Sequence, residues 1–390
     1  MHQLVLCELA GALLLCAYVV DPLLLAPASV LAGLLAVLAL VRRRRRSLPA
    51  LLRTVLAFRA RVRAARTPPV ADGGGGAVPA PLSECEPALR TYAFGGGERR
   101  PVGMIGDGTC LTAVLRVGAD GAALRPGRSA RPLPLELVRD ALDVDGIRLE
   151  SAQIVQHTRP APAPGLPEDS VAARNYAPLQ ADSGTPAVRI TWIALRLAPE
   201  LCPEAVRARG GGLVGAQRCV VRAADQLAGR LSGAGLGATV LTEPELGAAL
   251  TLSLGADPAV TARAARDGAT VRRTRETSRT WSCDGRPQTT YWVRRWPEPG
   301  GGRAALPELV ALLTSVPARA TTFALTLAHG DRQETALTGH VRVGGEDERQ
   351  LLAARHALER AARGARASLV RLDRDQLPGL LATLPLGGTR

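Results

Sequence analysis

The chain has 390 residues, room for one large domain or two ordinary ones beyond its apolar N-terminus. All 49 basic residues are arginine, which excludes a Walker A loop and Schiff-base chemistry, since each needs a lysine. The net charge is +14, but residues 42–66 hold ten arginines and no acid, and aromatic residues are only 3%, so the basic balance does not describe a nucleic-acid-binding domain.

Leu4 to Val20 is apolar except for Glu8, Asp21-Pro22 breaks the run, and Leu23 to Val41 carries no charge. A spanning helix needs about 20 residues, so residues 1–41 read as a transmembrane hairpin with helices over about 4–20 and 23–41. Arg42, Arg43, Arg44, Arg45 and Arg46 follow at once. The positive-inside rule places them in the cytoplasm, and two crossings return the N-terminus to the same side. Met1-His2-Gln3 lacks the positive n-region of a cleaved signal peptide. Glu8 lies near the cytoplasmic end of its run, as a snorkelling group or a contact for a partner helix.

Residues 42–66 continue as a basic juxtamembrane helix. Leu51, Val55, Phe58 and Val62 share one face, and Arg53, Arg59, Arg61 and Arg63 lie around the rest. Such a helix suits anionic headgroups, an acidic partner or a solvated stalk. Residues 67–98, rich in Pro and Gly, read as a flexible linker, and a second Pro/Ala/Ser-rich loop runs over 158–186.

The remaining chain reads as one order of elements written twice, over 99–255 and 256–390. Strands flank Asp107-Gly108, and "LPLELVRDAL" is a helix. Strands follow at Ile147–Gln156 and Val188–Leu197, then a long helix over Leu213–Leu231, a strand at Ala238–Leu241 and the helix "TEPELGAAL". In the second stretch strands flank Asp284-Gly285 and "LPELVALL" is the helix. Strands at Thr321–Ala328 and Thr335–Val343, a helix over Asp347–Arg363, a strand at Ser368–Leu372 and "DRDQLPGLLATL" complete it. The reading is a mixed α/β (α+β) soluble region of two pseudo-repeated ββαββαβα units behind the hairpin.

Motifs for chemistry are weak. Gly210, Gly212 and Gly215 match dinucleotide spacing, but the preceding strand ends about a dozen residues earlier and no carboxylate follows at the ribose position. Arg207, Arg209 and Arg218 beside that helix start make it a weak anion-site candidate. No histidine lies at ligand spacing from a cysteine or another histidine, so neither a metal nor a cofactor is expected. Asp107 and Asp284 read as turn residues, not general acids. Seven cysteines at irregular spacing suit a reduced compartment.

Four features in order resemble the EccE family, the membrane component of actinobacterial type VII (ESX-type) secretion systems. They are the double apolar run ending in arginines, "VGMIGDGTCLTAVLRV" (Val102–Val117), "WIALRLAPELCPEAVRARGGGLVGAQR" (Trp192–Arg218) and "RTWSCDGRPQTTYWVRRWP" (Arg279–Pro297). The resemblance implies a non-catalytic structural subunit of an inner-membrane complex, with EccB, the ATPase EccC and EccD as partners and no catalytic residue to transfer. The alternative is a membrane-anchored enzyme acting on nucleotide- or lipid-linked substrates.

Overall fold

A computed structural model describes residues 8, 11–13, 15–16, 18, 27–33, 42–43, 46–67, 78–95, 100–118, 132–159, 170–171, 174–175, 188–267, 271–297, 306–330 and 334–388. The chain divides into two compact units, residues 1–67 and 68–390.

In the first unit, β1 (Arg42–Arg43) pairs antiparallel with β2 (Arg46–Ser47), and α1 (Leu48–Ala64) follows. Val55, Phe58 and Val62 are half-buried along α1, whereas Arg53, Arg59 and Arg63 are exposed and Arg61 is half-buried. Glu8 is helical and exposed. Most of the expected hairpin lies outside the described residues, as do Arg44 and Arg45. Among the described residues no helix is long and apolar enough to cross a membrane.

The second unit opens with α2 (Ala80–Ser83), then β3 (Arg90–Phe94), β4 (Val102–Gly106), β5 (Leu111–Gly118), α3 (Leu135–Asp140), β6 (Asp143–Val144), β7 (Ile147–Arg148), β8 (Ser151–Arg159) and β9 (Val188–Leu197). It continues through α4 (Pro203–Ala208), α5 (Gly212–Gly233), β10 (Gly237–Val240), α6 (Glu243–Leu254), α7 (Pro258–Asp267), β11 (Thr274–Glu276), β12 (Trp281–Cys283) and β13 (Arg286–Arg295). It closes with α8 (Leu306–Thr314), β14 (Ala320–His329), β15 (Thr335–Gly344), α9 (Glu348–Gly364), β16 (Ser368–Arg371) and α10 (Gln376–Leu381).

Twelve strands form one antiparallel sheet in the order β11-β12-β13-β15-β14-β8-β9-β5-β4-β3, with β10 added beside β5 and β16 beside β13. The order reads the same from both ends. β5 is flanked by β9 on one side and shared by β4 and β10 on the other; β13 is flanked by β15 and shared by β12 and β16. The two halves join where β8 pairs with β14, from Thr158↔Thr321 to Ser151↔Ala328.

Period-two alternation sends successive side chains to opposite faces. On β14, Phe323, Leu325 and Leu327 join the core under α3, α4, α5, α8 and α9, while Ala324 joins the core under α2, α6, α10 and the segment to Leu386. Both faces are covered, so the strands read as near-continuous apolar runs. The helix ends carry their own signals. Thr242 and Glu245 form a capping box at the start of α6, which ends at left-handed Gly255 (φ 73°). Asp347 accepts a hydrogen bond from the Gln350 amide at 2.7 Å at the start of α9.

Within residues 67–98, read from sequence as a linker, α2 and β3 form. Leu82 is fully buried, and β3 extends the sheet edge by pairing with β4. Pro68, Pro69 and Gly73 to Gly76, which suggested a linker, lie outside the described residues, while Pro79 and Pro81 start α2. Most of the loop over 158–186 also lies outside them.

Candidate functional site

The glycine-rich stretch is the elbow between α4 and α5. Gly210, Gly211 and Gly212 take φ of +106°, +68° and +52°, conformations open to glycine at little cost, and they reverse the chain. One turn on, a Cβ at Gly215 would stand 2.4 Å from the carbonyl oxygen of Val206, so its hydrogen lets the two helices touch backbone to backbone. The neighbouring arginines turn onto carbonyls. Arg218 donates to Arg209 O at 2.9 Å, Arg209 to Ala205 O at 3.1 Å and Arg207 to Pro203 O at 3.3 Å. Guanidinium groups are at home on the negative end of a helix such as α4. Positive φ at Gly210 and Gly212 and close helix approach at Gly215 therefore account for the spacing.

A second polar site, unforeseen from sequence, lies at the seam between the halves. Arg342 on β15 is 2% exposed and His157 on β8 is 1% exposed. Nη1 of Arg342 donates to Gln288 Oε1 at 2.5 Å, and Nη2 donates to Ser253 O at 2.6 Å and Thr322 Oγ1 at 3.4 Å. The Gln288 amide nitrogen donates to Leu254 O at 2.7 Å, which fixes its oxygen as the acceptor. Thr322 Oγ1 also lies 2.8 Å from His157 Nδ1. Arg286 and Arg319 border the same small cavity, and Glu346 bridges them at 3.1 and 2.6 Å. Burial, then the charges of Arg342, Arg159 and Arg319, push the His157 pKa down to about 3, so the ring is neutral at pH 7.

Arg42, Arg43, Arg46 and the α1 arginines belong to the first unit, and the α4–α5 elbow to the second. Of the tryptophans at 281, 292 and 296, Trp281 is buried and Trp296 packs edge-on against Phe323 with ring centroids 6.3 Å apart. Trp292 is 37% exposed. Among the described residues no group of three or more His, Cys, Asp or Glu side chains could hold a metal ion. The signals that could have found the seam site are slight: an arginine between two core valines in "HVRVG", and a histidine at the end of an apolar strand.

The fold and these sites define a mixed α+β protein built on a wide antiparallel sheet, its polar features spent on internal structure. Residues 185–293 match the family model described as "Putative type VII ESX secretion system translocon, EccE". Over those residues the chain is similar to the EccE family. The matched segment runs from the start of β9 through the elbow, α5, β10 and α6 into β13, and so draws on both halves of the sheet. A search for similar curated proteins found no match.

Proposed function

We propose that this chain is a non-catalytic structural subunit of a type VII secretion translocon, and the family match carries that reading. A membrane hairpin over about 4–20 and 23–41 holds it in the inner membrane. Arg42 to Arg46 orient that hairpin, so that the N-terminus and the soluble halves, 99–255 and 256–390, face the cytoplasm. Glu8 and the α1 residues Arg53, Arg59, Arg61 and Arg63 serve as contacts to headgroups or to the other membrane components, EccB, EccC and EccD. The apolar runs of the sequence and the helical, arginine-lined α1 support this arrangement.

The test is mild detergent extraction followed by native mass measurement of the tagged full chain. Co-purification with the other translocon components is the expected result. Recovery only as a free monomer, from cells in which the other components remain assembled, would overturn the subunit reading. Replacing Arg42–Arg46 by Gln should scramble topology in a protease-protection assay. Unchanged topology would remove their orienting role.

A further inference from the structure

The cavity at the seam holds more donors than acceptors. Seven buried side-chain nitrogen or oxygen atoms among the described residues have no hydrogen-bond partner. Three of them, His157 Nε2, Arg286 Nη1 and Arg342 Nε, belong to residues lining this one cavity. The two arginine atoms can only donate. The histidine atom donates in one of its two neutral tautomers. In the tautomer whose Nδ1 accepts from the Thr322 hydroxyl, at 2.8 Å, the neutral ring carries its proton on Nε2. Buried donors without an acceptor are rare and costly.

The charge balance points the same way. Among the described residues no carboxylate pairs with buried Arg342, and burial pulls its pKa down to about 9. The carbonyl end of α6, reached through Ser253 O and Leu254 O, offsets roughly half a charge. Arg286, Arg319 and the nearby Arg159 add positive charge, and Arg319 and Arg286 in turn lower the Arg159 pKa after burial. Against them stand Glu346 and Asp257, the latter 2.8 Å from Arg286. The surplus is cationic, and three unmet donors lie around it.

The opposite end of the same strand shows a filled counterpart. Ser151, Gln153 and His157 share one face of β8 by the two-residue period. Ser151 Oγ donates to Gly387 O at 2.6 Å, Gln153 donates to Ala382 O at 2.8 Å, and the Gly387 amide donates to Gln153 Oε1 at 3.0 Å. The chain's own C-terminal backbone thus satisfies every polar side chain at that end. At the His157 end the α6 backbone meets Arg342 and Gln288, and among the described residues nothing meets His157 Nε2, Arg286 Nη1 or Arg342 Nε.

We infer that this cavity, lined by His157, Arg286, Gln288, Arg319, Thr322 and Arg342, is a binding site for one small anion of chloride or carboxylate size. The free space is about 10 Å³, which admits a single water-sized group or the end of a carboxylate and not a bulky anion. A bound anion would accept from donors on β8, β13 and β15 at once. It would therefore pin the first half of the sheet to the second.

The experiment is a thermal melt of the full chain in detergent at constant ionic strength. Sodium gluconate, too bulky for the cavity, is exchanged stepwise for sodium chloride or, separately, sodium formate. A ligand that binds only the folded state raises the midpoint along a saturating curve. The expected result is such a rise of several degrees with chloride or formate in the native protein, absent in R286Q. Arg286 is partly exposed, so R286Q should fold, and H157Q provides an independent second variant. A native midpoint indifferent to both exchanges would overturn the site and leave a water in the cavity. A saturable response retained in full by both R286Q and H157Q would overturn it equally.

Discussion

The two halves of the sheet place the same dipeptide at the same hairpin and use it differently. Asp107-Gly108 joins β4 to β5. Oδ1 of Asp107 accepts from the Thr109 amide at 2.9 Å, the Thr109 hydroxyl at 2.7 Å and the Cys110 amide at 2.8 Å, and Arg196 stands 3.3 Å from the other oxygen. Its side chain is 30% exposed. Asp284-Gly285 joins β12 to β13. Asp284 takes φ +52°, its side chain is 1% exposed, and it accepts from Arg273 Nε at 2.8 Å, Arg273 Nη2 at 2.7 Å and the Asp257 amide at 2.7 Å. One aspartate folds its own turn; the other ties a turn to two distant segments. Local sequence decides that a turn forms there, and tertiary context decides what the carboxylate is worth.

The largest expected effect follows from that difference. Asp284→Asn keeps the left-handed conformation, which asparagine tolerates, but leaves the buried Arg273 guanidinium without its countercharge. Removing one partner of a buried pair costs about 3–5 kcal/mol, which denaturant unfolding of the native and variant proteins would measure. A loss no greater than that of Asp107→Asn would break the distinction between the hairpins. Burial opposes ionisation of Asp284, but the Arg273 hydrogen bonds, the Asp257 amide and the Arg273 charge outweigh it, and its pKa lies below the usual carboxylate range. A depressed carboxylate stabilises the fold above its unfolded pKa of about 3.9, and that stabilisation is lost as pH falls below it.

The helical layers differ as well. In the first half, α4 precedes α5 and lies against it through Gly215, whereas β15 leads directly into α9 in the second half. Gly215→Ala would press a methyl group into the Val206 carbonyl and should cost about 1–3 kcal/mol. Gly229, on the same helix with nothing near its missing Cβ, is the control. Gly229→Ala should stabilise by about 0.5–1 kcal/mol through backbone entropy and helix propensity. Equal effects at both glycines, read by denaturant unfolding, would remove the steric account of the elbow.

Much of this architecture was legible in the sequence. Val188–Leu197 is bounded by prolines at 186 and 199 and rich in β-branched and aromatic residues, and β9 occupies that span. The long helices show the 3.6-residue period, and the ends of α5 and α9 fall within one or two residues of the expected ones. The edge strand β3 was missed because a five-residue edge strand beside a Pro/Gly-rich stretch carries little pattern of its own. The Arg273–Asp284 bridge and the seam cavity were illegible for a different reason. Register sets both, and it brings His157 beside Thr322 and Gln288 opposite Gly344 across separations that no local window contains.

The seam adds a pH-dependent term with a different onset. His157 and, through burial, His340 have pKa values lowered to about 3 and about 4. Below about pH 6.5 the unfolded chain binds protons that the folded protein refuses, so stability falls as pH drops toward 4. The slope should be about 1.4 kcal/mol per pH unit for each histidine. The double variant H157Q/H340Q should flatten this limb and leave the steeper loss below pH 4, where Asp284 and the other carboxylates protonate. A limb unchanged in that variant would show that neither ring carries it.

The smallest destabilisation belongs to the first hairpin. Asp107 is also held below the ordinary carboxylate range, since hydrogen bonds from the Thr109 hydroxyl and the Cys110 and Thr109 amides, together with the Arg196 charge, outweigh its burial. Asp107→Asn keeps an oxygen for those amides and loses only the charge toward Arg196. Glu150 also holds Arg196, 2.8 Å from its Nε, so the guanidinium is not stranded. The expected cost is therefore about 1 kcal/mol, the worth of an ordinary hydrogen bond, and it should shrink further in high salt because the pair is partly solvated. If Glu150 is the reason for that tolerance, Glu150→Gln combined with Asp107→Asn should cost more than the two single changes added together. Simple additivity would mean that the exposed hairpin depends on its turn hydrogen bonds alone.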